Sequence, residues 1–161
     1  MRRRLAALAA AAALLAAGGC GDDMDDLPRA TLAETQAAVR DFAAGLALDP
    51  LPEPLRVGPA PCEGRYADLA GDGAFYVAGA WQVPLPSTSQ RETLATVRDA
   101  ARAKGYEITE YREIDEVEVV MSGRDPATGF TFSISSTDPP EAVALLVSST
   151  CRRSPDGNYP A

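Results

Sequence analysis

The chain has no histidine. That removes the commonest general base, every serine–histidine or cysteine–histidine pair, and the usual nitrogen ligand for zinc. Lysine is nearly as scarce. Lys104 is the only one, and it stands at a helix end beside Gly105, where it favours the helix dipole and is poorly placed to activate a serine. Basic residues are few overall: 15 Lys and Arg face 23 Asp and Glu, for a net charge of −8. Binding nucleic acid takes Lys and Arg gathered on one face, so nucleic acid is excluded as a partner. The same charge pushes the chain off anionic lipid. No apolar run approaches the roughly 20 residues that span a bilayer. No internal repeat is present.

What is there begins at the N-terminus. Met1 is followed by Arg2, Arg3 and Arg4, then by a stretch from Leu5 to Ala17 that is almost wholly Ala and Leu, then by Gly18-Gly19-Cys20. A basic start, a short apolar stretch and small residues up to a cysteine have the shape of a bacterial lipoprotein signal. Residues 1–19 are expected to be removed, and Cys20 to become the acylated (palmitate-type) N-terminus that anchors the chain outside the cell membrane. Ala17 stands where such signals most often carry Leu, a departure that bears on lipidation. The alternative is an ordinary signal cut after Ala17 or Gly19, leaving Cys20 free. Without its three leading arginines the chain keeps 12 basic residues against 23 acidic ones, a net charge of −11.

Residues 20–30 hold Asp22, Asp23, Asp25 and Asp26 and read as a flexible acidic tether. They lack the glycine turn and terminal glutamate of a calcium loop. Cys62 and Cys151 remain once Cys20 carries lipid. Export favours a disulfide between them; the alternatives are two buried thiols or, more weakly, a pair of metal ligands.

The remainder suits one domain, 31–153, with a disordered tail at 154–161. Thr31-Leu-Ala-Glu34 is a capping box, and Leu32, Val39, Phe42, Ala43 and Leu46 follow at helical spacing, predicting a helix over about 32–48. The prolines at 50, 52, 54, 59 and 61 predict an extended connection and forbid both a helix and a central strand. Ala74 to Val83 alternates as a strand, with Phe75, Val77, Trp81 and Val83 on one side. Ser89-Gln-Arg-Glu92 reads as a second capping box, opening a helix to about Lys104 that turns Leu94, Val97 and Ala101 inward. Strands are expected at Tyr106 to Arg112, around Val117 to Met121, at Phe130 to Ser135 and at Val143 to Val147, with a turn at Asp125 to Gly129. The order predicts an α+β two-layer sandwich. Its antiparallel sheet has about four to five strands, with a helix after the first strand and an additional N-terminal helix.

Chemistry is hard to find along this order. Glu107, Glu110, Glu113, Asp115, Glu116 and Glu118 crowd one stretch, but charges along a sheet edge also discourage aggregation, and a carboxylate hydrolase ranks last. Gly71-Asp72-Gly73 leads into a strand rather than a helix, so it is no phosphate cradle. Trp81 reads as core and Arg152-Arg153 as surface. No catalytic, cofactor-binding or metal-binding residues are assigned, and no cofactor.

Cys20, Cys62 ahead of the first strand, the Ala-rich helix ending Ala-Lys-Gly105-Tyr106, the alternating Gly129-Phe130-Thr-Phe strand and Cys151 closing the last strand carry a resemblance. Over roughly residues 56–153 the chain resembles the LppA-type lipoproteins of mycobacteria and other high-GC Gram-positive bacteria. The resemblance implies an envelope-anchored α+β domain and supplies no functional residues beyond the cysteines. The expected function is therefore a non-catalytic binding or envelope-accessory role, with an envelope protein or ligand as partner. The alternative is a small-ligand or lipid carrier with a pocket between helices and sheet. Alternation puts Tyr76, Gln82, Thr131 and Ser133 on the sheet face away from the core, as the candidate contact surface.

Overall fold

A computed structural model describes residues 27–62, 73–114 and 118–160. The signal segment, Cys20 and the first part of the tether lie outside the described residues. The elements are α1 (Leu32–Ala44), β1 (Arg56–Pro61), β2 (Ala74–Pro84), α2 (Ser87–Ala103), β3 (Glu107–Glu113), β4 (Val119–Arg124), β5 (Thr131–Ser136), β6 (Ala142–Ser148) and β7 (Arg152–Arg153). The protein is α+β with an antiparallel sheet. Its strands run in the order β1-β2-β6-β5-β4-β3, and β7 pairs with the start of β2.

The strand count exceeds the expected four to five, and β1 accounts for much of the difference. Pro59 and Pro61 do forbid a central strand, but β1 is an edge. Alternate residues of a strand aim their N–H groups to the same side. Both missing donors therefore fall on the side that has no partner, where nothing needs them.

α1 begins as its sequence predicts. Glu34 N–H donates to the Thr31 hydroxyl at 3.2 Å, and the Glu34 carboxylate accepts from the Thr31 N–H at 2.8 Å. That backbone hydrogen bond holds the Glu34 carboxyl below its usual range. The helix ends four residues before the expected 48. The chain turns at Ala47, which takes a positive φ of 61°, and so carries Leu46 and Leu48 into the core from outside the helix. Lys104 Nζ donates to the Gly45 carbonyl, so the lone lysine caps the C-terminus of α1 from the end of α2.

The second capping box does not form. α2 starts three residues earlier than expected, with Pro86 rather than Ser89 at the N-cap, and no side chain caps it. Ser89 lies inside the first turn, where its hydroxyl donates to the Pro86 carbonyl at 3.0 Å. The Leu85 N–H bonds the Glu141 carbonyl at 3.1 Å, which fixes the exit from β2 and lets the helix begin at once.

Both helices bury their apolar faces against one side of the sheet. Val39, Phe42 and Ala43 of α1 and Leu94, Val97 and Ala101 of α2 join the inward residues of β2, β4, β5 and β6 in a single core. Each large apolar side chain fully buried there contributes about 1.5–3 kcal/mol. Phe75, Val77, Trp81 and Val83 all point inward, as their alternation predicts. Gly79 shares that side and leaves room for the Trp81 indole. A Cβ on Gly79 would stand 2.5 Å from the Trp81 ring and 3.0 Å from Val39. Gly79→Ala is thus expected to cost about 1–3 kcal/mol through overpacking. Chemical denaturation checks it; an unchanged midpoint would show that the indole has another place to go.

A smaller cluster closes the other end. Cys62 and Cys151 form a disulfide, with Cα atoms 6.0 Å apart, packed with Leu27 and Ala74. Two expectations need correction here. The tether, placed at 20–30, is docked at its last four residues: Arg153 N–H donates to the Pro28 carbonyl at 3.0 Å and Ala30 N–H to the Arg153 carbonyl at 3.1 Å. The tail, expected to be disordered over 154–161, folds back through residue 160. Ser154 N–H donates to the Gly73 carbonyl at 2.9 Å, and the Asp156 carboxylate accepts from the Ser154 hydroxyl at 2.6 Å. In both segments backbone pairing, invisible to composition, does the ordering.

Candidate contact surface

The helices cover one side of the sheet, and the side chains of the opposite side are set by register. Two rows run straight across it. In the first, Arg56, Ala80, Leu146, Ser133, Ser122 and Glu110 are successive cross-strand partners. In the second, Gly58, Ala78, Ser148, Thr131, Arg124 and Glu107 are. Directly paired residues project to the same side. The second row therefore grades from very small side chains on β1 and β2 to long charged ones on β4 and β3, while the first carries a charge at each end, Arg56 on β1 and Glu110 on β3.

Tyr76, Gln82, Thr131 and Ser133 share this face, since the register buries Trp81, Phe130 and Phe132 on the other. They do not form one cluster. Thr131 and Ser133 are neighbours on β5. Tyr76 and Gln82 stand at opposite ends of β2, roughly 20 Å apart at about 3.3 Å per residue, with β6 between them and β5. Gln82 and Thr131 are exposed, and Tyr76 and Ser133 half-buried.

The sequence reading missed one part of this face. A shallow depression of about 230 Å³ lies over β1, β2 and β6, lined by Arg56, Gly58, Ala60, Ala78, Ala80 and Leu146. Leu146 stands 52% exposed within it. The Arg56 side chain lies across Gly58, its Nε 3.7 Å from where a Cβ would stand. β1 was expected to be a connection, so neither Arg56 nor Gly58 had a face to belong to. Leu146 was legible: Val143, Leu145 and Val147 point inward, which turns Ala144, Leu146 and Ser148 out.

The crowded carboxylates are engaged by arginines. Glu107 contacts Arg124 at 2.7 Å, Glu110 contacts Arg112 at 2.5 Å and Glu113 contacts Arg91 at 3.0 Å. Asp115 and Glu116 lie outside the described residues. Among the described residues no group of three or more acids or cysteines is arranged to hold a metal ion.

Perturbed titrations lie elsewhere. Burial, then the Glu113 charge, raises the Tyr111 phenol, over which Arg98 stacks at 4.7 Å. Burial, then Asp125, raises Tyr106. A hydrogen bond with Arg98 lowers Asp99, and bonds from Ser154 and Asn158 lower Asp156. These groups belong to the helix-covered side, to α2 or to the tail. The open face is chemically suited to contact, through small polar side chains, an exposed leucine and charged residues at its edges.

No helix among the described residues is long and apolar enough to cross a membrane. No family model, curated protein or solved structure matches the chain.

Proposed function

We propose that the protein is an extracytoplasmic binding module of the LppA-type lipoprotein kind, anchored to the cell membrane by lipid on Cys20. It has no catalytic role, and it meets its partner through the open face of the sheet. One observation carries this reading: both helices pack on one side, leaving a six-strand-wide face with Ala, Ser, Thr, Gly and the exposed Leu146 at its middle and charged residues toward its edges. The sheet edges offer less. β1 carries prolines and β3 carries charges, and both features discourage strand addition. A carrier reading has weaker support, because the layer between helices and sheet is filled by large side chains such as Phe42, Phe75, Trp81, Leu94 and Met121.

Two measurements test the reading. Mass spectrometry of the membrane fraction is expected to find an acylated N-terminal Cys20, and Cys20→Ala to release the protein from the membrane; equal membrane binding of the variant would remove the anchor. For the face, single thiols at Thr131→Cys and Ser133→Cys are compared with Thr96→Cys on the exposed side of α2. In intact envelopes the two sheet thiols are expected to react with a water-soluble maleimide several-fold more slowly than in the unfractionated protein diluted in detergent, while the helix thiol does not change. Equal reactivity at all three positions in both settings would place the contact surface elsewhere.

A further inference from the structure

We infer that the partner on the open face is a second copy of this chain, packed sheet on sheet about a two-fold axis that runs parallel to the strands between β5 and β6. The inference rests on the reading of a tethered protein that binds through this face, and names the occupant.

A two-fold axis at the middle of the sheet lays β1 of one copy over β3 of the other, and β2 over β4. In the second row the small end then meets the large end of its mate. Gly58 and Ala78, which floor the depression, face Glu107 and Arg124 respectively. Leu146, close to the axis, faces Ser133. The long side chains of one copy enter the recess of the other, twice, as an isologous contact requires.

Charge agrees with shape. Arg91, Arg98, Arg112 and Arg124 each contact a carboxylate within their own chain. No salt bridge within the described residues involves Arg56, and it ends the row that Glu110 begins. Under the two-fold, the Arg56 guanidinium of each copy lies opposite Glu110 of its mate. Glu110 meets Arg112 through Oε1, so Oε2 is placed to accept a second guanidinium.

The tether selects the axis. Leu27 packs with Ala74 at the start of β2, so the anchored end of the chain lies at one end of the strands. An axis parallel to the strands keeps both Leu27 residues at the same end, facing one membrane. An axis across the strands would put them at opposite ends, separated by the length of β2, about 35 Å for its 11 residues. With the strands upright on the membrane, the seven residues from Cys20 to Leu27 reach at most about 25 Å, too short for the raised copy to stay anchored.

The contact is modest. Six strands at about 4.8 Å and some six residues of length give a flat footprint on the order of 500 Å² per copy, at the low end of specific interfaces. The expected dimer is reversible, favoured by confinement to one membrane.

Charge reversal tests it. The full chain in density-matched detergent is followed by sedimentation equilibrium. Wild type is expected to be a monomer–dimer mixture. Arg56→Glu and Glu110→Arg should each raise the dissociation constant about tenfold or more, and the double variant should restore it to within about threefold. Arg56 is exposed and Glu110 lies at an edge strand, so both variants are expected to fold, as circular dichroism verifies. A wild type that stays monomeric, or a double variant no better than the single ones, overturns the inference. If that happens while the maleimide protection persists, another partner covers the face and the contact reading stands. If the protection is also absent, the contact reading fails as well.

Discussion

Replacing Cys62 and Cys151 together by alanine is expected to lower the unfolding free energy by about 4 kcal/mol, the largest effect of any change outside the core. The bridge closes 89 residues of chain, which contain β2, α2 and every strand through β6. In the chain-entropy account a loop of that length restricts the unfolded ensemble by roughly this amount. The folded state changes little, because Cys62 is buried against Leu27 and Ala74 and alanine leaves only a small void. Urea unfolding of the exported protein should show the midpoint falling by about 2 M, with a larger m-value as the unfolded chain expands. A shift below roughly 0.5 M would mean that the unfolded state is already compact, or that the cluster contributes little. Non-reducing peptide mapping of the wild type serves as the companion measurement.

Gln90→Leu is expected to cost about 3 kcal/mol, although leucine would fit the apolar neighbourhood better by composition. Gln90 is fully buried. Its amide nitrogen stands 2.8 Å from the Leu85 carbonyl, 3.1 Å from Pro140 and 3.2 Å from Ala142, so two hydrogens are shared among three acceptors. Its carbonyl accepts from the Ser136 hydroxyl at 2.6 Å, and the Ser136 oxygen accepts the Val119 N–H at 3.0 Å. One side chain thus joins the start of α2 to the β5–β6 turn and to β4. Leucine removes the donor and the acceptor together and takes the Gln90 bond from the part-buried Leu85 and Pro140 carbonyls, the costly half of hydrogen-bond energetics. Gln90→Glu sharpens the test. A carboxylate facing three carbonyls must keep its proton, so its folded-state pKa is raised, and the variant's stability should fall as pH rises. Denaturation at acid and neutral pH checks both. A Gln90→Leu protein as stable as wild type would mean that the turn repacks to reach water, and a pH-independent Gln90→Glu would say the same of the site.

Much of the architecture was legible because burial leaves a period in sequence. The α1 start follows from Thr31 and Glu34, since a capping box is a contact between residues three apart. The inward faces of β2 and α2 follow from alternation and from the spacing of Leu94, Val97 and Ala101. The Asp125–Gly129 turn follows from Gly129, whose φ of 74° suits a residue without a Cβ. Local signals misled where a distant partner outweighed them. Ser89 looked like a cap, but Glu141 fixes the exit from β2 and the helix begins before it.

The candidate surface divides in the same way. That Tyr76, Gln82, Thr131 and Ser133 face away from the core follows from the period of two. That they are spread along the face, with Leu146, Arg56 and Gly58 between and beside them, depends on strand order. A strand's own residues do not encode which neighbour it takes, and β2 pairs with β6 across most of the fold. By itself the sequence determined the class of the fold, the cysteine pair and the faces of its clearest elements, because those depend on residues a few positions apart or on simple counts. Only the tertiary structure decided that the proline segment is an edge strand, that the tail and the end of the tether are docked, and that Arg56 and Glu110 end one cross-strand row of the open face while the next grades from Gly58 to Glu107. Each of these is a pairing between segments far apart in the chain, settled by backbone hydrogen bonds that any sequence can make and that only the assembled fold selects.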